Sequence, residues 1–204
     1  ESIENTLKIS KRCNVNIDFT NNHTPLVRAE GPSGDPVFEG GSLEEWYKDW
    51  CSSWVLTPFE ENVGTPKEIV EKECAKALES LSKAGLIWRY GNGGISDEVN
   101  SRLKRELKIL CDKKIAAYFL IVWDFVNWAR QNEIPCMARG SGVGTMVGYV
   151  LGLSNACPVT YGLLFERFTD PDRDEYPDID IDICQKGRSR VIEYVRNKYG
   201  HVAQ

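Results

Sequence analysis

Histidine is the scarcest chemically useful residue in this chain: among 204 residues there are only His23 and His201. The seven cysteines, at 13, 51, 74, 111, 136, 157 and 184, form no CxxC pair. Such a ligand supply gives no basis for a structural zinc site. An odd number of scattered cysteines in apolar settings reads instead as reduced, partly buried thiols of a cytoplasmic protein. No apolar run is long enough to cross a bilayer, and no charged-then-apolar leader opens the chain, so no membrane partner is expected. Internal repeats and low-complexity tracts are absent. There is no initiator Met, and the sequence opens in mid-pattern and stops just after "YGHVAQ"; it reads as a piece of a longer protein. The net charge of −5 excludes a uniformly basic nucleic-acid binder.

The positive charge that is present is concentrated. "QKGRSRVIEYVRNKYG" carries Lys186, Arg188, Arg190, Arg196 and Lys198 against the single acid Glu193. It is expected to form a basic amphipathic helix. The length suffices for one domain, or for a main domain with a smaller appendage.

Local signals divide the chain into an N-terminal helical and loop-rich portion, 1–96, and a second portion, 97–204. "SIENTLKISKRC" predicts a short helix. Residues 20–41, rich in Asn, Pro and Gly, predict a loop. Ser42 and Glu45 stand in capping-box spacing ahead of a helix on which Trp46, Trp50 and Trp54 recur every fourth residue. That stripe is expected to pack rather than to stack bases. Thr65, Pro66 and Glu68 predict the start of a long helix, and Gly85 its end. A further helix is expected from about 97 to 114, with Leu103, Leu107 and Leu110 on one side. "AAYFLIVWDFVNWARQ" is apolar nearly all round and predicts a central buried helix.

From Ile134 the texture changes. "IPCMARGSGVGTMVGYVLGL" predicts a short strand, a glycine-rich turn and a helix of small residues, and "YGLLFERF" one or two more helical turns. The turn puts Gly140, Gly142 and Gly144 where backbone N–H groups can approach an anion. It is neither GxGxxG, because position 145 is Thr, nor a P-loop, because no Lys-Ser/Thr follows. Alone it fits phosphate binding or tight helix packing equally; Arg139 and the Ser141 hydroxyl favour phosphate.

"PDIDIDIC" alternates Asp178, Asp180 and Asp182 with Ile179, Ile181 and Ile183, the period of a half-buried strand. Same-face residues two apart lie about 7 Å apart, from a rise of about 3.3 Å per residue. Two such carboxylates can reach a pair of hard cations about 3.5–4 Å apart. All-oxygen donors select Mg²⁺, for which Mn²⁺ can substitute. The competing reading is a solvated edge whose charges block aggregation. A calcium loop beginning at Asp170, Asp172 and Asp174 fails, since its sixth position is Glu175 and its twelfth Ile181. A Gly-Ser turn followed by a DxD strand is the arrangement of nucleotidyltransferases.

"FLIVWDFVNWAR", "ARGSGVGTMVGYVLGL", "LLFERFTDPDRDEYPDIDIDIC" and "RVIEYVRNKYGHVAQ" occur in that order. Together they resemble the palm region of the C family of bacterial replicative DNA polymerases, typified by the DNA polymerase III alpha subunit. The resemblance covers about 97–204 closely and the opening "ESIENTLKISKRCNV" more weakly; residues 16–75 match no pattern of the family. It implies an α+β fold, a nucleotidyltransferase-like palm with a mixed sheet and helices on one side, preceded by the helical N-terminal portion. It implies that Asp178 and Asp180 are catalytic and hold two Mg²⁺ ions, with Asp182 a third acid of less defined role. Gly140 and Ser141 match the phosphate-binding turn, and Arg139 and Arg167 match arginines beside the triphosphate. The implied partners are deoxynucleoside triphosphates and primer–template DNA. The sliding clamp and other replisome subunits would be met through regions outside this chain. The chain departs from the family in carrying Met137 and Ala138 where Pro-Gly is usual. The family's third essential carboxylate lies beyond the piece, which alone is expected to be inactive. Lys186, Arg188 and Arg190 are candidates for DNA phosphates, or else a solvated helix face. The alternative function is a non-catalytic DNA-binding or assembly module of the same descent.

Overall fold

The computed structural model describes residues 2–15, 25–59, 64–170 and 177–200. His23, His201 and most of the loop expected before the aspartates lie outside the described residues.

The expected N-terminal helix forms as α1, Ser2–Arg12, and buries none of its residues. The loop expected over 20–41 is interrupted by a strand, β1, Val27–Glu30. It pairs antiparallel with β2, Val55–Pro58, from Val27 opposite Pro58 to Glu30 opposite Val55. The reason is tertiary: Val27 is fully buried, and Arg28 donates to both carboxylate oxygens of Glu73 at 2.7 and 3.1 Å. Four residues of alternation are too few to stand out between Pro and Gly.

Between these strands runs α2, Leu43–Ser52, with the Ser42 hydroxyl accepting from the Glu45 N–H as expected. Trp46 and Trp50 stack with centroids 6.3 Å apart, and both lie half-buried against the core. Trp54 follows the helix rather than riding on it, yet it packs on the same core. The tryptophans are packing residues.

Helix α3, Lys67–Tyr90, corrects both of its expected ends. Pro66 is the N-cap and no side chain caps it; the Thr65 hydroxyl instead accepts from Arg28 at 3.4 Å. Gly85 does not stop the helix but lies buried inside it. A Cβ there would stand 1.9 Å from the Val150 carbonyl oxygen, so this glycine is a crossing point for a neighbouring segment.

Helix α4, Asp97–Asp112, is capped by Ser96 and buries Leu103, Leu107 and Leu110. Helix α5, Ala116–Gln131, buries Phe119, Leu120, Trp123 and Val126 and is the central helix expected. The strand β3, Cys136–Ala138, leads into a 3-10 turn, Gly140–Gly144. The helix of small residues is only α6, Met146–Val150. "YGLLFERF" contributes a single 3-10 turn, Phe165–Arg167. Strand β4, Ile181–Ile183, pairs antiparallel with β3, and α7, Arg188–Tyr199, closes the described chain.

The class is α+β. Among the described residues the strands form two separate antiparallel pairs rather than one mixed sheet. The main hydrophobic core runs from Val27 through α3, α4, α5 and α6 to Ile179, and a smaller cluster gathers Ala129, Ile134 and Val191.

Candidate functional site

The aspartate alternation is realised. Pro177 and Ile179 are buried, whereas Asp178, Asp180 and Asp182 are exposed. The Ile face meets the core, and β4 is short because pairing with β3 begins only at Ile181, opposite Ala138. One residue further, the Arg139 N–H donates to the Asp180 carbonyl at 3.0 Å, which carries the two chains side by side up to the glycine turn. Ile179 is pinned from the other side: its N–H donates to the Tyr118 hydroxyl of α5 at 3.0 Å. Burial raises the Tyr118 hydroxyl above its usual value; the Ile179 amide pulls it back, and Asp178 and Asp180 raise it further.

The glycine turn sits directly against this strand. Gly140 takes a φ of +63°, a conformation that L side chains rarely adopt and glycine does. A Cβ on Gly142 would touch Ile179 at 3.4 Å. Ser141 is exposed. The following helix has only five residues, so the helix dipole expected to favour an anion is correspondingly small. Its N-cap is Thr145, whose hydroxyl accepts from the Gly148 N–H at 2.9 Å.

Arg139 joins the two motifs. Its guanidinium lies 3.5 Å from Asp180 Oδ2 and 3.2 Å from Asp182 Oδ1. The like charges of the strand are thus bridged by the cation that precedes the Gly-Ser pair. Both contacts are solvent-exposed, so each is worth at most about 1 kcal/mol and is readily exchanged. Arg167 is exposed on the 3-10 turn that packs against Gly140–Gly144. Lys186, Arg188 and Arg190 are exposed at the far end of β4. There Gly187 meets Ile134, and Arg190 donates to Asn132 at 3.2 Å. Arg139, Gly140, Ser141, Asp180, Asp182 and the Arg167 segment therefore form one neighbourhood, and the three cations of the basic segment form another.

Two features escaped the sequence reading. Tyr118 sits in the apolar first half of α5, where its hydroxyl is the polar group. The second is a pair on α4: Glu106 is 0% exposed, and its Oε1 accepts from Nε of the partly buried Arg102 at 2.5 Å. Its Oε2 accepts from the Val147 N–H at 3.1 Å. Burial pushes the Glu106 carboxyl up, while the Met146 and Val147 amides and Arg102 pull against it. The signal was an acid between Leu103 and Leu110 on the apolar stripe.

An exposed acidic strand thus stands beside a glycine-serine turn, and comparison with known proteins is specific about the family. Residues 76–204 match the family described as bacterial DNA polymerase III alpha NTPase domain. The DNA polymerase III subunit alpha of Chlamydia pneumoniae is 35% identical across 100% of this chain, and that of Neisseria meningitidis serogroup A 38% across 98%. The Aquifex aeolicus subunit is 46% identical over 64% of it. The chain belongs to the bacterial DNA polymerase III alpha family. It spans 12 to 16% of the length of these relatives. Similarity also reaches further towards the N-terminus than the motifs suggested, since the Chlamydia pneumoniae alignment, over 100% of the chain, includes the segment 16–75 that matched no pattern. Among the described residues no helix is long and apolar enough to cross a membrane.

Proposed function

We propose that this chain is part of the palm of a DNA-directed DNA polymerase, built on a nucleotidyltransferase-like core. In it, deoxynucleotides pass from deoxynucleoside triphosphates to a primer 3′-hydroxyl. The observation that carries this reading is Arg139. Its backbone holds the strand at Asp180, its side chain spans Asp180 and Asp182, and the next two residues are the Gly-Ser turn. Family membership supports it.

Asp178 and Asp180 are the residues that would hold Mg²⁺, with Mn²⁺ as substitute. They are exposed on one side of the chain and offer only oxygen, the donor set these ions prefer. Among the described residues no group of three or more His, Cys, Asp or Glu side chains is placed to hold a metal. The pair therefore fits as part of a ligand set completed by nucleotide phosphates and by a carboxylate that the family resemblance puts elsewhere. Two such ions, when bound, favour deprotonation of an attacking hydroxyl and offset charge on a departing pyrophosphate. Gly140, Ser141, Arg139 and Arg167 take the triphosphate through backbone N–H, hydroxyl and guanidinium donors. Exposed Lys186, Arg188 and Arg190 face the primer–template phosphates.

The test is a Mn²⁺ titration of this chain followed by electron paramagnetic resonance. Weak binding is expected, and Asp178→Asn/Asp180→Asn should abolish it. Equal binding by both proteins removes the metal assignment and favours a non-catalytic DNA-binding or assembly role.

A further inference from the structure

We infer that Arg102 and Glu106 of α4 are positioning residues that lock the phosphate-binding turn and the Arg167 segment into one fixed relation. The inference rests on the phosphate role proposed above for Gly140, Ser141 and Arg167.

The connections run to three separate stretches of chain. Arg102 Nη2 donates to the Gly144 carbonyl at 3.1 Å, the last residue of the glycine turn. The same nitrogen donates to the Leu163 carbonyl at 3.0 Å, where the chain enters the 3-10 turn carrying Arg167. Glu106 accepts from Val147 at the start of α6 and orients Arg102 through Nε. The guanidinium also lies 6.0 Å from the centre of the Phe165 ring, two residues before Arg167.

A buried ion pair is a poor device for stability alone, because desolvation offsets much of the attraction; its best-attested benefit is a fixed arrangement. Here the arrangement matters to chemistry, since a displacement of about 1 Å at a reacting centre can cost about 100-fold in rate. The planar guanidinium fork is what lets one side chain serve Glu106 and two carbonyls at once. A lysine keeps the charge but not the fork.

The deciding experiment is amide hydrogen exchange on this chain, comparing Arg102→Lys with Leu103→Ala, a cavity on the same helix. Arg102→Lys should lower protection at 144–148 and 165–168 at least tenfold more than in α3 and α5. Leu103→Ala should lower protection in all of them together. Glu106→Gln, which keeps the shape, is the second variant and should follow Arg102→Lys. If either polar variant leaves the two segments protected, or loosens the whole molecule as the cavity does, the inference is wrong. A second readout is the KM for a deoxynucleoside triphosphate in a complete alpha subunit carrying Arg102→Lys, expected to rise at least tenfold with a smaller change in kcat. Local loosening with an unmoved KM would leave the positioning intact and overturn the phosphate assignment instead.

Discussion

Gly85 shows how a single residue can be misread by pattern and explained by packing. Ala is ordinarily favoured over Gly inside a helix by about 1 kcal/mol. At this position the added methyl would meet the Val150 carbonyl oxygen at 1.9 Å and its carbon at 2.6 Å, both backbone atoms. The same carbonyl accepts from the buried Tyr47 hydroxyl at 3.2 Å, and Tyr47 stacks on Trp88 at 4.3 Å, so the crossing has no slack. Steric overlap outweighs propensity. Gly85→Ala should lower stability by about 1–3 kcal/mol, the usual range for overpacking a filled core. A shift of the urea midpoint at unchanged slope would register it; a midpoint equal to or above that of the parent would show that α6 can move aside.

Elements are held to one another by polar contacts that sequence periodicity does not reveal, and Asp124 is the clearest case. From α5 it accepts from Tyr194 at 2.9 Å, Lys198 at 2.8 Å and Tyr199 at 2.8 Å, all on α7. Burial first, and then Asp124, push the hydroxyls of Tyr194 and Tyr199 well above their ordinary values, so both remain donors at any working pH. α7 itself fully buries only Val191, although Trp128 also stacks on Tyr194 at 4.6 Å. Val191 joins Ala129 and Ile134 in a small apolar cluster, and Asp124 supplies the polar side of the attachment. Asp124→Asn should weaken it by about 1.5–3 kcal/mol, the scale of hydrogen bonds to a charged group. Limited proteolysis should then cut within 188–199 first, and cleavage elsewhere at the same rate would contradict the assignment. The sequence made the long helices and the aspartate face legible, because 3.6- and 2-residue periods are written by burial itself. It concealed β1 and β2, where four residues decide nothing until the partner strand is present. The attachment of α7 was hidden for a related reason: Asp124 lies 70 residues from Tyr194 and means nothing alone.

At the scale of the molecule, the boundary near residue 97 divides motifs but not the core. α3, from the N-terminal portion, packs on α5 and α6 from the other, and one hydrophobic cluster joins Val27 to Ile179. Arg89 of α3 donates to the Tyr149 and Ser154 carbonyls at 3.0 and 2.8 Å, adding polar ties across the same seam. A domain able to unfold separately needs a boundary that few contacts cross. The turn that carries Ser141 accordingly leans, through α6, on a helix that begins ahead of the family match at 76–204 and runs into it. Urea unfolding of the whole chain should therefore be a single transition, with tryptophan fluorescence and far-ultraviolet circular dichroism giving the same midpoint. Four of the six tryptophans, Trp46, Trp50, Trp54 and Trp88, belong to the N-terminal portion, and Trp123 and Trp128 to the other, so fluorescence samples both sides of the seam. A residue 97–204 piece made without α3 should fail to unfold cooperatively, because the faces of α5 and α6 that α3 covers would be left in water. Two separated transitions in the whole chain, or a cooperatively folding 97–204 piece, would show instead that the portion carrying the aspartates is an autonomous domain and that its contact with α3 is an accessory.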